Sequence, residues 1–266
     1  KTAQNLENYR YYLLDAAREN AHKNGFNGAQ YPWESADDGS EQCPDWTIEP
    51  DGSCYRCYVA VYEHHVTAAV AYGIYNYVKI TGDIDFLYTK GAEILTETAR
   101  FWASRCEYNN EQDRYEINQV TGPDEWHEPV NNNLYTNYLA RWNLKYVLSL
   151  LEVMKKEETS SYNELVEKTG LTEMETAKWK EVQEKIYLPR KEGTKLLEQF
   201  EGYFELDNVT IEKYDENDWP IRPEALKTKK AKETQINKQA DVVMLLHLMG
   251  NEFDDETIIL TSTPTI

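Results

Sequence analysis

The stretch that decides the fold is Val59-Ala-Val-Tyr-Glu-His-His-Val-Thr-Ala-Ala-Val-Ala-Tyr-Gly-Ile-Tyr-Asn-Tyr-Val-Lys-Ile-Thr-Gly-Asp83. Val66, Val70, Ile74 and Val78 recur every fourth residue along one face, and His65, Ala69, Tyr72 and Asn76 step along another. This is the helical period, and it predicts a helix over Val59–Ile80. Apolar side chains on most of its sides mean that it is buried between neighbours. Thr81-Gly82-Asp83 predicts a tight corner, because Gly can end one helix in the left-handed region and Asp can cap the next. A second helix follows over Ile84–Cys106, with Phe86, Leu87, Ile94, Leu95, Phe101 and Trp102 as its apolar set. The two together make a helical hairpin.

Outward from this hairpin the pattern stays helical. A helix is predicted over Leu6–Lys23, stopped by Gly25, and another over Asn133–Lys156, capped by the Asn131–Asn133 run. Leu139, Trp142, Tyr146 and Leu150 share a stripe on that second helix. Further helices are predicted over Tyr162–Thr169 and Glu173–Tyr187. A last one is capped by Asn237 and carries Val242, Leu245, Leu246 and Met249 as its apolar stripe. Arg114–Asn118 reads as a short extended segment and Thr194–Lys213 as two short strands. Asn27 to about Tyr58 reads as a long loop bearing Trp33 and Trp46, and Asp215–Thr234 as polar and irregular. Loops of that length without structure of their own are usually functional or disordered, and the aromatic content favours function. The sum is an all-α chain of about seven helices in paired hairpins, with minor β segments, arranged as a toroid or bundle.

Composition narrows the function classes. The 266 residues carry 28 Lys and Arg against 47 Asp and Glu, a formal charge of −19, which repels phosphate backbones and argues against nucleic acid. No window approaches the ~18 apolar residues of a membrane-spanning helix. The 20 Tyr and 7 Trp combine flat apolar faces with one polar tip, which suits a helical core and equally suits a sugar. Cys54-Tyr-Arg-Cys57 with Cys43 lacks the second pair of a zinc-finger spacing, so all four cysteines are expected as reduced thiols in a cytoplasmic protein, with no metal. The chain opens at Lys1 without Met, which suggests a piece of something larger.

Four segments are candidates for chemistry. Gly122-Pro-Asp-Glu-Trp-His-Glu128 gathers three carboxylates, an imidazole and an indole on one turn. Acid catalysis at a glycosidic bond needs a carboxyl group kept protonated, and an adjacent ring such as Trp126 can raise its pKa by desolvation. The same carboxylates would also suit a simple acidic turn before a helix. Tyr31-Pro-Trp-Glu-Ser35 places Trp33 beside Glu34, which suits a sugar ring or, alternatively, a hydrophobic anchor for the loop. Asn237-Lys-Gln-Ala-Asp241 puts polar groups at a predicted helix start, for a ligand or for capping alone. In Glu63-His64-His65 the two imidazoles point about 100° apart on a helix and cannot share a metal. One is expected in the core, while the other could line a pocket.

Taken in order, Gly28–Ser35, His65–Tyr72, Ala99–Arg105, Tyr115–Glu125, Asn131–Asn137 and Lys238–Val243 resemble glycoside hydrolase family 65, the maltose, kojibiose, nigerose and trehalose phosphorylases. The resemblance implies an (α/α)6 barrel of paired helices, incomplete here, with residues 1–266 forming a central catalytic domain fragment of a longer, homodimeric enzyme. It implies Glu125 as the general acid, with Trp33, Glu34, Lys238 and Gln239 around the transferred glucosyl unit. Trp126 and His65 complete the expected substrate-binding set. No organic cofactor or metal is implied; the partners are a small sugar and inorganic phosphate as co-substrate. The expected reaction is inverting phosphorolysis of an α-glucosyl disaccharide. An inverting hydrolase of the acid trehalase type and an inactive sugar-binding fragment are the alternatives. Two departures stand out: Ala69 occupies a position where the family often has Asp, and Thr257–Ile266 shows no His- and Ser-containing loop of the kind that holds phosphate.

Overall fold

The predicted hairpin is present in the computed structural model, which describes residues 1–48, 52–227 and 229–262. Helix α4 spans His65–Thr81 and ends on Gly82 in the left-handed conformation, φ +71°. Asp83 then caps helix α5 (Ile84–Phe86) by accepting the Phe86 N–H at 3.0 Å. A single π-helical turn, Leu87–Gly91, joins α5 to α6 (Ala92–Arg105), so the predicted Ile84–Cys106 helix is nearly continuous.

The first helix is divided. Helices α1 (Thr2–Tyr12) and α2 (Leu14–Lys23) meet at Leu13, where Leu13 N–H still reaches the Tyr9 carbonyl and Ala17 N–H reaches that of Leu13. This is a kink rather than a gap. The predicted Val59–Ile80 helix is likewise broken, into α3 (Val59–Tyr62) and α4. At the break His64 Nε2 lies 2.9 Å from the Val61 carbonyl, the acceptor that a continued helix would have used, while Arg105 Nε donates to Nδ1 at 3.1 Å and holds the ring there. With Nδ1 accepting, Nε2 carries the proton. Helices α7 (Leu134–Glu157), α8 (Thr159–Thr169) and α9 (Glu173–Lys185) follow, the last opened by a reciprocal Thr172–Glu175 capping box.

Several expectations are corrected. The long loop holds an antiparallel pair, β1 (Trp46–Ile48) with β2 (Cys54–Arg56), in the register Trp46↔Arg56; its connecting residues 49–51 lie outside the described residues. Arg114–Glu116 does form a strand, β4, paired with β3 (Glu107–Asn109). Thr194–Lys213 forms no strands. Glu198 Oε1 accepts the N–H groups of both Gly202 and Phe204, which closes a turn on the donors that a ladder would need. The last apolar stripe lies on α10 (Asp241–Met249), but its N-cap position is Ala240, and the Asn237 amide is drawn instead to Gln199 Oε1 at 2.7 Å. A short helix α11 (Asp255–Ser262) follows.

The chain divides into two compact units, Lys1–Ile117 with Thr136–Tyr187, and Asn118–Tyr135 with Leu188–Ile266. The first is built from the helices up to α9 around fully buried Ile74, Ile94, Leu95, Phe101, Trp102, Leu139, Leu144 and Trp179. The second carries α10 and α11 among turns and isolated bridges such as Val120↔Val130. Among the described residues no helix is long and apolar enough to cross a membrane.

The first unit also buries charge. Arg18 contacts Glu93 at 2.9 Å and Glu97 at 3.1 Å, Lys168 contacts Glu93 at 2.6 Å, and Arg100 joins Glu97 (2.8 Å) to Glu175 (2.6 Å). Glu7 on α1 is different. It is 6% exposed and packs at the α4 backbone beside Gly73. Burial pushes its carboxyl up to about 7, against the opposing pull of Arg10. The folded chain therefore holds this proton between about pH 4.5 and 7 where the unfolded chain has released it, so the Glu7 contribution lowers stability as pH rises through that window. Glu7→Gln should abolish this contribution, leaving the variant level with the parent near pH 4 and more stable by up to about 3 kcal/mol at pH 8. Urea unfolding at both pH values measures it, and parallel pH profiles would refute the assignment.

Candidate active site

In the first unit the Gly28–Ser35 segment is held against α6 by close approach. Gly28 sits at φ +76°, and a Cβ there would lie 2.2 Å from the Glu97 carbonyl oxygen; Ala29 N–H donates to that same oxygen at 3.0 Å. Trp33 and Glu34 then emerge exposed. Their backbone is fixed by a residue that the motif reading passed over. The Glu41 carboxylate accepts the N–H groups of Trp33 (2.6 Å), Glu34 (3.0 Å) and Cys43 (2.9 Å). Three backbone donors on one carboxylate are strong, charge-assisted bonds, and they set the loop that presents Trp33. The Trp33 ring meets His65 edge to face, with centroids 5.5 Å apart. Both of the paired histidines are buried, and at His64 burial with Arg105 beside it brings the pKa down to about 3. His65 is the one that reaches a candidate sugar contact.

In the second unit the turn after Gly122 is organised by Asp124, which is 1% exposed. Its Oδ1 accepts the N–H groups of Lys238 (3.0 Å) and Trp126 (3.2 Å), and its Oδ2 accepts His127 Nδ1 (2.6 Å) and Gln199 Nε2 (2.9 Å). His127 Nε2 faces the Thr234 carbonyl at 2.8 Å, so both ring nitrogens address acceptors. Burial works against charge on both partners. The His127 hydrogen bond and the backbone donors nevertheless hold the Asp124 carboxyl below its usual range. Asp124 and the Thr234 carbonyl raise the His127 imidazole above its own. The geometry therefore assembles a buried ion pair with its remaining lone pairs satisfied.

Upon this base stands Glu125, whose Oε2 accepts a hydrogen bond from Lys238 Nζ at 2.6 Å. Glu125 and Lys238 come from segments 113 residues apart, and Asp124 bonds the backbone of one while preceding the other in the chain. Gln239, next to Lys238, has an Oε1 that is shielded from solvent and without a hydrogen-bond partner in the described residues. Trp126, expected to desolvate the acid, is instead 43% exposed; its backbone serves Asp124. Asp241, at the start of α10, is fully buried. Burial pushes its carboxyl up to about 7 although Asn133 Nδ2 donates to it at 2.8 Å. Among the described residues there is no group of three or more His, Cys, Asp or Glu placed to hold a metal ion.

The structure thus brings Trp33 and His65 together in one unit and Glu125 and Lys238 together in the other, with Glu34 and Gln239 each beside a member of its own pair. Sequence reasoning missed Glu41, Gln199 and Thr234. Glu41 acts on backbone N–H groups of its own loop, Gln199 on the Asp124 and Asn237 side chains, and Thr234 through its carbonyl on the His127 ring, and none of these single hydrogen bonds leaves a periodic trace.

Comparison with known proteins gives a consistent picture. The family model described as "Glycosyl hydrolase family 65 central catalytic domain" matches residues 1–262. A kojibiose phosphorylase of Caldanaerobacter subterraneus subsp. tengcongensis is 54% identical over 97% of the chain and 33% of its own length. An α,α-trehalose phosphorylase of Thermoanaerobacter brockii is 35% identical over 96% of the chain and 32% of its own length. A solved structure described as "Putative kojibiose phosphorylase from human microbiome" superposes with a TM-score of 0.80 at 28% identity, covering 97% of this chain and 32% of that one. The chain therefore spans about a third of the length of these relatives.

Of the glycines in the second unit, Gly122 is the one most closely packed. A Cβ at this position would lie 2.3 Å from Asn133 Nδ2 and 2.4 Å from Asp241 Oδ2. Gly122→Ala should therefore split the buried Asn133–Asp241 bond and destabilise the fold by about 3 kcal/mol, measurable by urea unfolding. A loss below about 0.5 kcal/mol, the range of ordinary surface changes, would show that this contact is not tight.

Proposed function

Because the chain belongs to glycosyl hydrolase family 65, we propose that it carries the general acid and glucosyl contacts of an inverting disaccharide phosphorylase of the kojibiose type. The observation that carries the reading is the Glu125–Lys238 pair, seated on the buried Asp124 network. Glu125 donates its proton to the departing glycosidic oxygen, while phosphate attacks the opposite face of the anomeric carbon. The C–O bond to the leaving sugar breaks as the C–O bond to phosphate forms, so an α-glucoside yields β-glucose 1-phosphate and a free sugar. Lys238 occupies Oε2 and leaves Oε1 to address the leaving group. Phosphate is itself the nucleophile, so the reaction needs no second carboxylate to activate water, and no cofactor takes part.

In the first unit Trp33 supplies a flat face for a sugar ring, with His65 bracing it and Glu34 as an acceptor for hydroxyl hydrogens, and in the second Gln239 is such an acceptor beside Lys238. Identity of 54% to a kojibiose phosphorylase, against 35% to a trehalose phosphorylase, supports an α-1,2-linked glucosyl disaccharide as substrate. The (α/α)6 barrel is supported by family membership and the TM-score of 0.80, with the remaining helices drawn from the rest of the protein. Four free thiols, Cys43, Cys54, Cys57 and Cys106, support a reducing, cytoplasmic setting.

The test uses the full-length protein with kojibiose and with trehalose, each with and without phosphate, beside Glu125→Gln. Release of glucose should require phosphate, favour kojibiose, and fall roughly 10²–10⁴-fold in the variant, the range for loss of a general acid. Release without phosphate would mean hydrolysis instead, and an unchanged Glu125→Gln rate would remove Glu125 from the chemistry.

A further inference from the structure

Asp124 lies in the motif that bears the acid, yet it is 1% exposed, so it is enclosed away from any sugar. What it touches is informative. Lys238 N–H and Trp126 N–H meet Oδ1, and His127 Nδ1 and Gln199 Nε2 meet Oδ2. Asp124 thereby bonds the residue following Glu125 and the backbone of the lysine that grips Glu125. Gln199 extends the grip, since its Oε1 accepts Asn237 Nδ2 at 2.7 Å, and Asn237 immediately precedes Lys238. The His127 ring, fixed at its far side by the Thr234 carbonyl, packs tilted against Phe200 and edge to face with Tyr203, with centroids 5.1 and 6.0 Å away. The arrangement does more than close a turn, because two of the four donors come from residues 75 and 114 positions away.

We propose that Asp124 is a positioning residue for catalysis, its carboxylate clamping the Trp126 and Lys238 N–H groups into one register so that Glu125, which lies between Asp124 and Trp126, reaches the leaving oxygen. This rests on the reading of Glu125 as the acid. A carboxylate is required rather than an amide. Both Asp124 oxygens face N–H donors, so an amide NH₂ in either place would confront one and leave it without its acceptor. Misplacement of an acid by even about an ångström is costly in rate, and the cost falls on protonation of the leaving group rather than on the sugar's binding.

The experiment compares kojibiose with α-glucosyl fluoride, whose leaving group departs with little protonation, for phosphorolysis by the full-length protein, Asp124→Asn and Glu125→Gln. If Asp124 positions the acid, Asp124→Asn lowers kcat on kojibiose at least 100-fold with KM within about threefold, while turnover of the fluoride stays within tenfold of the parent. Glu125→Gln should show the same split. Equal losses on both substrates in a folded Asp124→Asn protein would overturn the proposal and leave Asp124 a general structural role. An unaffected Asp124→Asn beside an inactive Glu125→Gln would overturn it while preserving the acid. An unaffected Glu125→Gln would overturn the reading beneath it. Should Asp124→Asn fail to fold, Gln199→Met removes one donor and the Asn237 tether. That variant should give the same substrate split at about tenfold, and an even loss on both substrates would count against the clamp.

Discussion

A carboxylate withdrawn from water must be given back the hydrogen bonds it has lost, and Asp124 is the place where this requirement organises the candidate site. An isolated buried charge costs several kcal/mol, and only a full set of donors with a cationic partner offsets it. Asp124 obtains four donors, the His127 imidazolium among them, but no single segment can supply them. The chain has to bring together the turn after Gly122, Gln199 and the backbone of Lys238. The Glu125–Lys238 ion pair is then a by-product of meeting the demand of the residue beneath it.

The first unit meets the same demand in two contrasting ways. Glu93 and Glu7 are both glutamates with less than a tenth of their surface exposed. Burial opposes ionisation of both, yet the Glu93 carboxyl is held below its ordinary range because Lys168 and Arg18 reach it, whereas Glu7 is pushed up to about 7. The difference lies in what neighbouring helices offer. Long cationic side chains from α2 and α8 extend to Glu93. Glu7 instead abuts the backbone beside Gly73, and of nearby charges only Arg10 opposes its shift.

The helices were largely legible in the sequence, and so was the corner at Gly82–Asp83, because burial of an apolar face writes a period into the chain and a left-handed turn asks for glycine. What escaped was everything decided by one particular side-chain hydrogen bond, near or far along the chain, rather than by a repeating period. His64 breaks a helix whose apolar pattern runs straight through it, because one side chain competes for one carbonyl. Glu198 turns an alternating segment into a turn, and Gln199 takes Asn237 from the helix end it was expected to cap. In the site, residue types pointed to Glu125 and Lys238 by resemblance, while Gln199 and Thr234, which complete the support beneath them, belong to no motif of their own. Glu41 is the plainest case: one acidic residue in a polar loop looks like solvation until its three backbone partners are seen.

The alternating charges of Arg18, Glu93, Glu97, Arg100 and Glu175, with Lys168 at the side, form a connected network rather than a set of separate pairs. Hydration of charged groups becomes less favourable on heating, so the cost of keeping such a network out of water shrinks as temperature rises while apolar burial levels off. Helices α2, α6, α8 and α9 are therefore cross-braced by an interaction whose share of the stability grows with heat, and the first unit's resistance to unfolding shifts from its apolar core toward its charges as the protein warms.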